Sequence, residues 1–389
     1  MKKGFTKLLS FLLVSMLAFS AFFLTGCKKE KTEITIGFSG PLTGGASVYG
    51  LAVLHSAELA VEEINAAGGV NGYKLKLLSR DDAHDPTKVS TNYASLVEEG
   101  MQISLGCVTT KPCLEFAKLS AADKLFFLTP SATGDAVVAN DNAYQMCFAD
   151  TRQGTFSARY VNENVAKTTK IGILYRSGDE YSQGIYEKFV DELDPAFEKV
   201  VASFTEDTPT DLSAQVQLLK DCGFIFLPIY YTPASVFMKQ AKDVVSKEAV
   251  YFGCDGLDGI DTSIEGFDIN TIPQEVSYLS HFNSKATSGP AKEFIDKYVA
   301  KEGVETLNQF GASAYDCIYA LAAALKKIAE KDATKVTPNT SASELYELLK
   351  AEFQGGFTFS GVTGENITWD KDGFVNKSAV KYIVKEMNK

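Results

Sequence analysis

Three short stretches of this sequence carry side chains able to grip a small charged molecule. The first is Gly106-Cys-Val-Thr-Thr-Lys-Pro112. Proline costs a helix nothing at its first position, so a helix is expected to begin at Pro112. Thr110 then either caps that helix or, with the free backbone N–H groups beside it, forms an anion-binding corner suited to a carboxylate. The second is Pro130-Ser131-Ala132-Thr133-Gly134, where small residues keep the backbone approachable and two hydroxyls offer hydrogen bonds. The third is Cys254-Asp255-Gly256, an acid beside a glycine that could meet a ligand ammonium. Both of these also read as ordinary turns. Tyr49, Tyr181 and the pair Tyr230-Tyr231 add apolar walls with polar tips.

Catalytic signals are missing from the same sequence. There is no Gly-x-Ser-x-Gly elbow, phosphate loop, His-Glu-x-x-His or histidine beside a plausible nucleophile. The three histidines, His55, His84 and His281, have no metal-like spacing to a cysteine, so neither a metal nor a cofactor is expected. The reading is a binding protein, not an enzyme.

Elements must place those clusters together. Short β-rich runs at 34–38, 74–78, 103–105, 125–129, 170–175, 200–204, 224–228 and 249–253 alternate with helical patterns. Several are continuously apolar, as strands buried on both faces are. In the first helix Leu54, Ala57, Val61 and Ile64 share one face, Glu58, Glu62 and Glu63 the other, and Gly68-Gly69 ends it. The rhythm recurs through 86–123, 153–194 and 205–246, about four times before residue 150 and four after. Such alternation means two doubly wound α/β lobes. Residues 289–330 read as helical, and Ser341 or Ser343 could cap the helix after the polar loop 334–343. The three polar clusters each follow a strand, where ligands of open α/β sheets lie.

The N-terminus reads as an address. Lys2, Lys3 and Lys7 precede an apolar stretch over 8–24, then Leu24-Thr25-Gly26-Cys27 and a charged run. This is the pattern of a secretory signal over 1–26, here similar to the bacterial lipobox, with Cys27 accepting the lipid and 27–32 as linker. Without its three lysines, the chain has 35 bases against 49 acids, a net charge of −14. That argues against a nucleic-acid surface, which would need clustered bases. Six further cysteines, Cys107, Cys113, Cys147, Cys222, Cys254 and Cys317, allow fifteen pairings, and spacing selects none.

The chain also resembles a known family, in Ile36-Gly-Phe-Ser-Gly-Pro-Leu-Thr-Gly44 with Tyr49-Gly50, Glu63-Ile-Asn-Ala-Ala-Gly-Gly-Val-Asn-Gly72 and Asp81-Asp-Ala-His-Asp-Pro86. Thr129-Pro-Ser-Ala-Thr133, Phe148-Ala-Asp-Thr-Arg-Gln-Gly154, Phe310-Gly-Ala-Ser-Ala-Tyr-Asp316 and Phe359-Ser-Gly-Val-Thr-Gly364 continue it. In this order they resemble the type I periplasmic binding proteins of ABC importers, specifically the leucine/isoleucine/valine-binding group. The resemblance implies lobe I at 33–149 plus 282–360, lobe II at 150–281 plus 361–389, and a three-segment hinge that closes on the ligand. It places a ligand carboxylate on Thr110, Ser131 and Thr133 with backbone from Ala132. It places an ammonium on Asp255 and Tyr230, with Tyr49 and Tyr181 bordering the side-chain pocket. Where some relatives bridge a cysteine at position 84 to one near Thr109, His84 stands here and no such disulfide forms. Asp255 is one methylene shorter than the glutamate often found there, and the sequence leaves open whether Thr109 or Thr110 faces the cleft.

The expectation is therefore a monomeric lipoprotein on the outer face of the bacterial cytoplasmic membrane. It would deliver an amino acid, branched-chain or similarly hydrophobic, to an ABC permease. The alternatives are a binder of an amide, urea or aromatic acid, or a ligand-sensing receptor uncoupled from transport.

Overall fold

A computed structural model describes residues 31–261 and 266–386 of the chain. The expected signal over 1–26 and the lipidation residue Cys27 lie outside the described residues. Strand β1 (Glu33–Gly40) is buried at every position after Glu33, as the middle of a parallel sheet requires. Helix α1 (Ser47–Ala66) follows, with Ala57, Val61 and Ile64 on its buried face and Leu54 half-buried beside them. It ends at Gly68 and Gly69, both with positive φ. A Cβ on Gly69 would stand 2.0 Å from the Tyr73 carbonyl oxygen, so the turn needs glycine. Strand β2 (Lys74–Asp81) then pairs in parallel with β1, from Glu33↔Lys74 to Gly40↔Asp81.

The alternation continues through α2 (Pro86–Glu98), β3 (Ile103–Ser104), α3 (Thr110–Ala122), β4 (Phe127–Thr129) and β5 (Ala143–Gln145). These strands form a parallel sheet in the order β2-β1-β3-β4-β5. The chain then runs through α4 (Asp150–Asn164), β6 (Ile171–Arg176), α5 (Glu180–Glu192), β7 (Lys199–Phe204), α6 (Ser213–Leu219) and β8 (Phe224–Leu227). Next come α7 (Tyr231–Ala241), β9 (Val250–Gly253), β10 (Glu275–Ser280), α8 (Gly289–Glu302), α9 (Gln309–Lys331) and α10 (Ala342–Gln354). A hairpin of β11 (Phe359–Gly361) and β12 (Gly364–Ile367) precedes the last strand, β13 (Val380–Lys385). The second sheet has the order β13-β10-β9-β8-β6-β7, with β13 antiparallel to β10 and the other pairs parallel. The fold is thus two doubly wound α/β lobes.

Three passages of chain join the sheets: after β5, after β10 and before β13. The expected lobe boundary at 360/361 falls inside the β11–β12 hairpin. The chain after that hairpin still holds to the first lobe, because the Trp369 indole N–H donates to Gln145 O at 2.7 Å and Gln145 N donates to Gly373 O at 3.0 Å. Helix α9 braces all this. Its Asp316 carboxylate accepts from Val362 N and Thr363 N at 2.8 Å each, and the buried Lys377 ammonium donates to Thr363 Oγ1. His281, on the second passage, lies 2.6 Å by Nε2 from Ser313 Oγ of the same helix.

Candidate functional site

At the ends of β3, β4, β8 and β9 the two lobes face each other. The expected helix at Pro112 begins two residues earlier, with Thr110 as its first residue and Pro112 within its first turn. Proline is tolerated there because the first-turn N–H groups have no partner inside the helix. Neither threonine caps α3. Thr109 Oγ1 lies 2.8 Å from His84 Nδ1, and Thr110 Oγ1 accepts from Gly134 N at 3.2 Å. That second bond ties the turn after β4 to the turn after β3. Both threonines line the cavity.

Ser131 and Thr133 line it too, but Ala132 between them does not. Its N–H donates to Thr129 Oγ1 at 3.1 Å and its carbonyl accepts from Gln145 Nε2 at 2.9 Å, so its backbone groups are occupied inside the lobe. Thr133 hydrogen-bonds Asp150, the buried first residue of α4. Burial pushes the Asp150 carboxyl well up from its ordinary value, and the neighbouring Asp255 pushes it further.

The second lobe supplies the charge. Asp255 follows β9 in a single 3₁₀ turn and is almost fully buried. Its Oδ1 accepts from the Tyr181 hydroxyl at 2.7 Å, and its backbone N–H donates to Gln153 Oε1 at 3.0 Å. Burial raises its pKa to about 6, against the opposing hydrogen bonds from Tyr181 and Gln153. Tyr181, expected on the side-chain wall, is thus the tyrosine that reaches the acid. Tyr230 stacks on it, with ring centroids 4.7 Å apart and planes 8° apart.

Tyr49 crosses from α1 to the other lobe. Its hydroxyl donates to Gly256 O and accepts from Tyr231 N at 3.2 Å. Thr232 Oγ1 donates to Gly45 O at 2.6 Å, a further bond between the lobes. Gly256 is itself needed: a Cβ there would stand 2.5 Å from the Tyr181 hydroxyl oxygen. Sequence reasoning missed Val108, Gly256 and Phe310 as lining residues. Phe310 meets the Tyr49 ring edge-on at 5.0 Å. It stands at the start of α9, far along the chain, and only its Phe-Gly-Ala-Ser-Ala-Tyr-Asp motif marked it.

The space between these groups measures about 10 Å³, about one water's worth. Cavities of about 580 and 620 Å³ lie elsewhere, beside α4 and α5 and beside α8 and α9. Convergence, not volume, sets this cleft apart: hydroxyls of one lobe oppose a buried carboxylate of the other, inside an aromatic wall. The six described cysteines are buried free thiols, none paired in a disulfide.

A cleft of this kind between two doubly wound lobes defines a bilobal solute-binding protein. The periplasmic binding protein family model matches residues 33–385, and the chain belongs to that family. It is 27% identical over 383 residues to the leucine-, isoleucine-, valine-, threonine- and alanine-binding protein of Pseudomonas aeruginosa, covering 96% of this chain and 94% of that one. It is 27% identical over 306 residues to the Leu/Ile/Val-binding protein homolog 3 of Brucella melitensis, covering 77% and 80%. Among solved structures it is similar to the branched-chain amino acid transporter substrate-binding protein LivJ of Streptococcus pneumoniae in complex with isoleucine. That match has a TM-score of 0.73 and 25% identity, and covers 90% of this chain and all of the other.

Proposed function

We propose that this protein captures an amino acid with a branched or similarly hydrophobic side chain between its lobes and delivers it to an ABC import permease. The observation that carries the reading is Asp255, a buried acid facing hydroxyls across a water-poor cleft. The ligand ammonium meets Asp255, where a charge-assisted hydrogen bond forms best. Its carboxylate turns to Thr110, Ser131 and Thr133 on the first lobe. Tyr49, Tyr230 and Phe310 wall the side chain, and Tyr181 holds Asp255 in place. The relatives named for leucine, isoleucine and valine support this ligand class.

Closure follows as a population shift, because the ligand touches both lobes only when they meet. The opening the ligand needs is a rotation about the three passages, with lobe I at 33–149 plus the returning helices and lobe II from 150 to 281 plus β13. Export by residues 1–26 and a lipid on Cys27 would keep the monomer at the outer face of the cytoplasmic membrane. A thermal-shift panel of amino acids, amides, urea and aromatic acids tests the reading. A ligand at a hundredfold excess over its dissociation constant adds roughly 2.7 kcal/mol of stability. Stabilisation by leucine, isoleucine or valine is expected. Response to an aromatic acid or amide, with none to amino acids, would overturn the ligand class.

A further inference from the structure

His84 sits where the lobes meet, outside the groups already assigned. It lies in a turn after β2 with Ala83 and His84 both at positive φ, 51° and 64°. Such a conformation is uncommon for residues other than glycine. The turn is held from below: His84 N donates to Asp82 Oδ1 at 3.0 Å, and Asp82 Oδ2 accepts from Ser39 Oγ at 3.1 Å. The imidazole therefore has a fixed direction. Nδ1 lies 2.8 Å from Thr109 Oγ1, on its own lobe. Nε2 lies 3.7 Å from Asp207 Oδ1, on the other lobe, and the ring meets the Tyr230 ring edge-on at 5.5 Å. Thr109 and Tyr230 both line the cleft, one from each lobe.

Resting on the reading that ligand is taken between closing lobes, we infer that neutral His84 is a positioning residue: it fastens Thr109 to the Tyr230–Asp207 face of lobe II, and its protonation loosens that fastening and weakens ligand binding. A neutral ring whose Nδ1 accepts the Thr109 hydroxyl proton carries its N–H at Nε2, on the side of Asp207, across a gap longer than a hydrogen bond. The charged groups around it come from several elements. Asp179 and Asp207 attract a proton to the ring, while Arg176 and Lys111 repel it. Arg176 also ion-pairs with Asp207, which offsets that carboxylate's pull. Burial is the largest influence, and the net result lowers the His84 pKa from its ordinary value. An open cleft returns the ring to water, so the open form takes up the proton more readily. Acid therefore favours opening.

The test is calorimetric titration with leucine at several pH values between about 8 and about 5, the range in which histidine titrates. It compares the wild type with His84→Asn, which tolerates positive φ and does not titrate, with Asp207→Asn, and with the double variant. Asp255 titrates in the same range and weakens every protein in acid, so the readout is the difference between profiles. At neutral pH His84→Asn is expected to bind about threefold or more weakly, and its further loss toward acid to be smaller than that of the wild type. Asp207→Asn should weaken binding at neutral pH, and the double variant should lose less than the two single losses combined. Parallel pH profiles for wild type and His84→Asn would overturn the inference, as would additive losses. Should the wild type bind no amino acid, the ligand reading fails while this one is still decided by solution scattering. The radius of gyration is then expected to rise toward acid in the wild type and stay level in His84→Asn; the same response in both overturns it.

Discussion

Asp255 receives the Tyr181 hydroxyl on one oxygen, and its backbone is fixed by Gln153. A carboxyl so buried, with a pKa of about 6, is half neutral in mild acid. Its folded-state pKa lies above the unfolded value of about 3.9. The folded chain therefore binds this proton more tightly, and stability from this group falls as pH rises from about 4 to about 6. An ammonium ligand favours the ionised carboxylate and removes that loss. The melting-temperature increment produced by leucine should accordingly grow as pH rises through 6, and differential scanning calorimetry with and without ligand measures it. An increment that shrinks over that range would contradict the ammonium pose. The acid and its neighbours were legible because strand-end loops are few and Asp255, Thr110, Ser131 and Thr133 all occupy them. The pairing of Tyr181 with Asp255 was not, since side-chain direction leaves no trace in spacing; the nearness of His84 to Thr109 was implied by the family resemblance, but not the hydrogen bond that joins them.

Helix α9 shows what an element contributes. Asn308 caps it, its side chain accepting from Phe310 N and Gly311 N at 3.0 Å each. Gly311 then lets it press on α1: a Cβ would stand 2.8 Å from Ser56 Oγ and 3.0 Å from Ala52 O. Gly311→Ala should push the helices apart and destabilise the fold by roughly 1–3 kcal/mol, the usual range for overpacking. Urea unfolding checks it, and an unchanged midpoint would contradict the packing. Asn308→Ala should cost about 1 kcal/mol by loss of the cap. At this scale the sequence was readable where periodicity was strong, as in α1. It was not for β5, three residues set just after the polar Asn140-Asp141-Asn142 stretch, nor for β10, whose run Glu-Val-Ser-Tyr-Leu-Ser is too polar to read as a buried strand. Both strands are defined by their partners: β5 lies at the edge beside β4, and β10 between β9 and β13. Ser341, one of two candidate caps, is the one whose side chain accepts from the following helix, at Glu344 N.

Three passages join the two lobes, and α9 stands behind two of them. Lys377 is buried on the third passage, its pKa lowered by burial to about 8 and pulled back up by Asp316. Removing the ammonium with Lys377→Met would leave Asp316 a buried acid with no charge opposite it. A loss of about 3–5 kcal/mol follows by analogy with broken buried pairs, read as a fall in melting temperature. A variant as stable as the wild type would mean that the hydrogen bonds to Val362 and Thr363 already satisfy Asp316. The two-lobe architecture was legible from the repeated strand–helix rhythm. The hinge cluster of His281, Ser313, Asp316 and Lys377 was not, because its members come from segments far apart in sequence.

The central claim is that Asp255 binds the ammonium of an amino acid held between the lobes. The most direct measurement is isothermal titration of leucine and isoleucine into the wild type and Asp255→Ala. Saturable binding by the wild type, lost in the variant by several kcal/mol as a stranded buried charge requires, is the predicted result. Near-equal affinity in both proteins would contradict it.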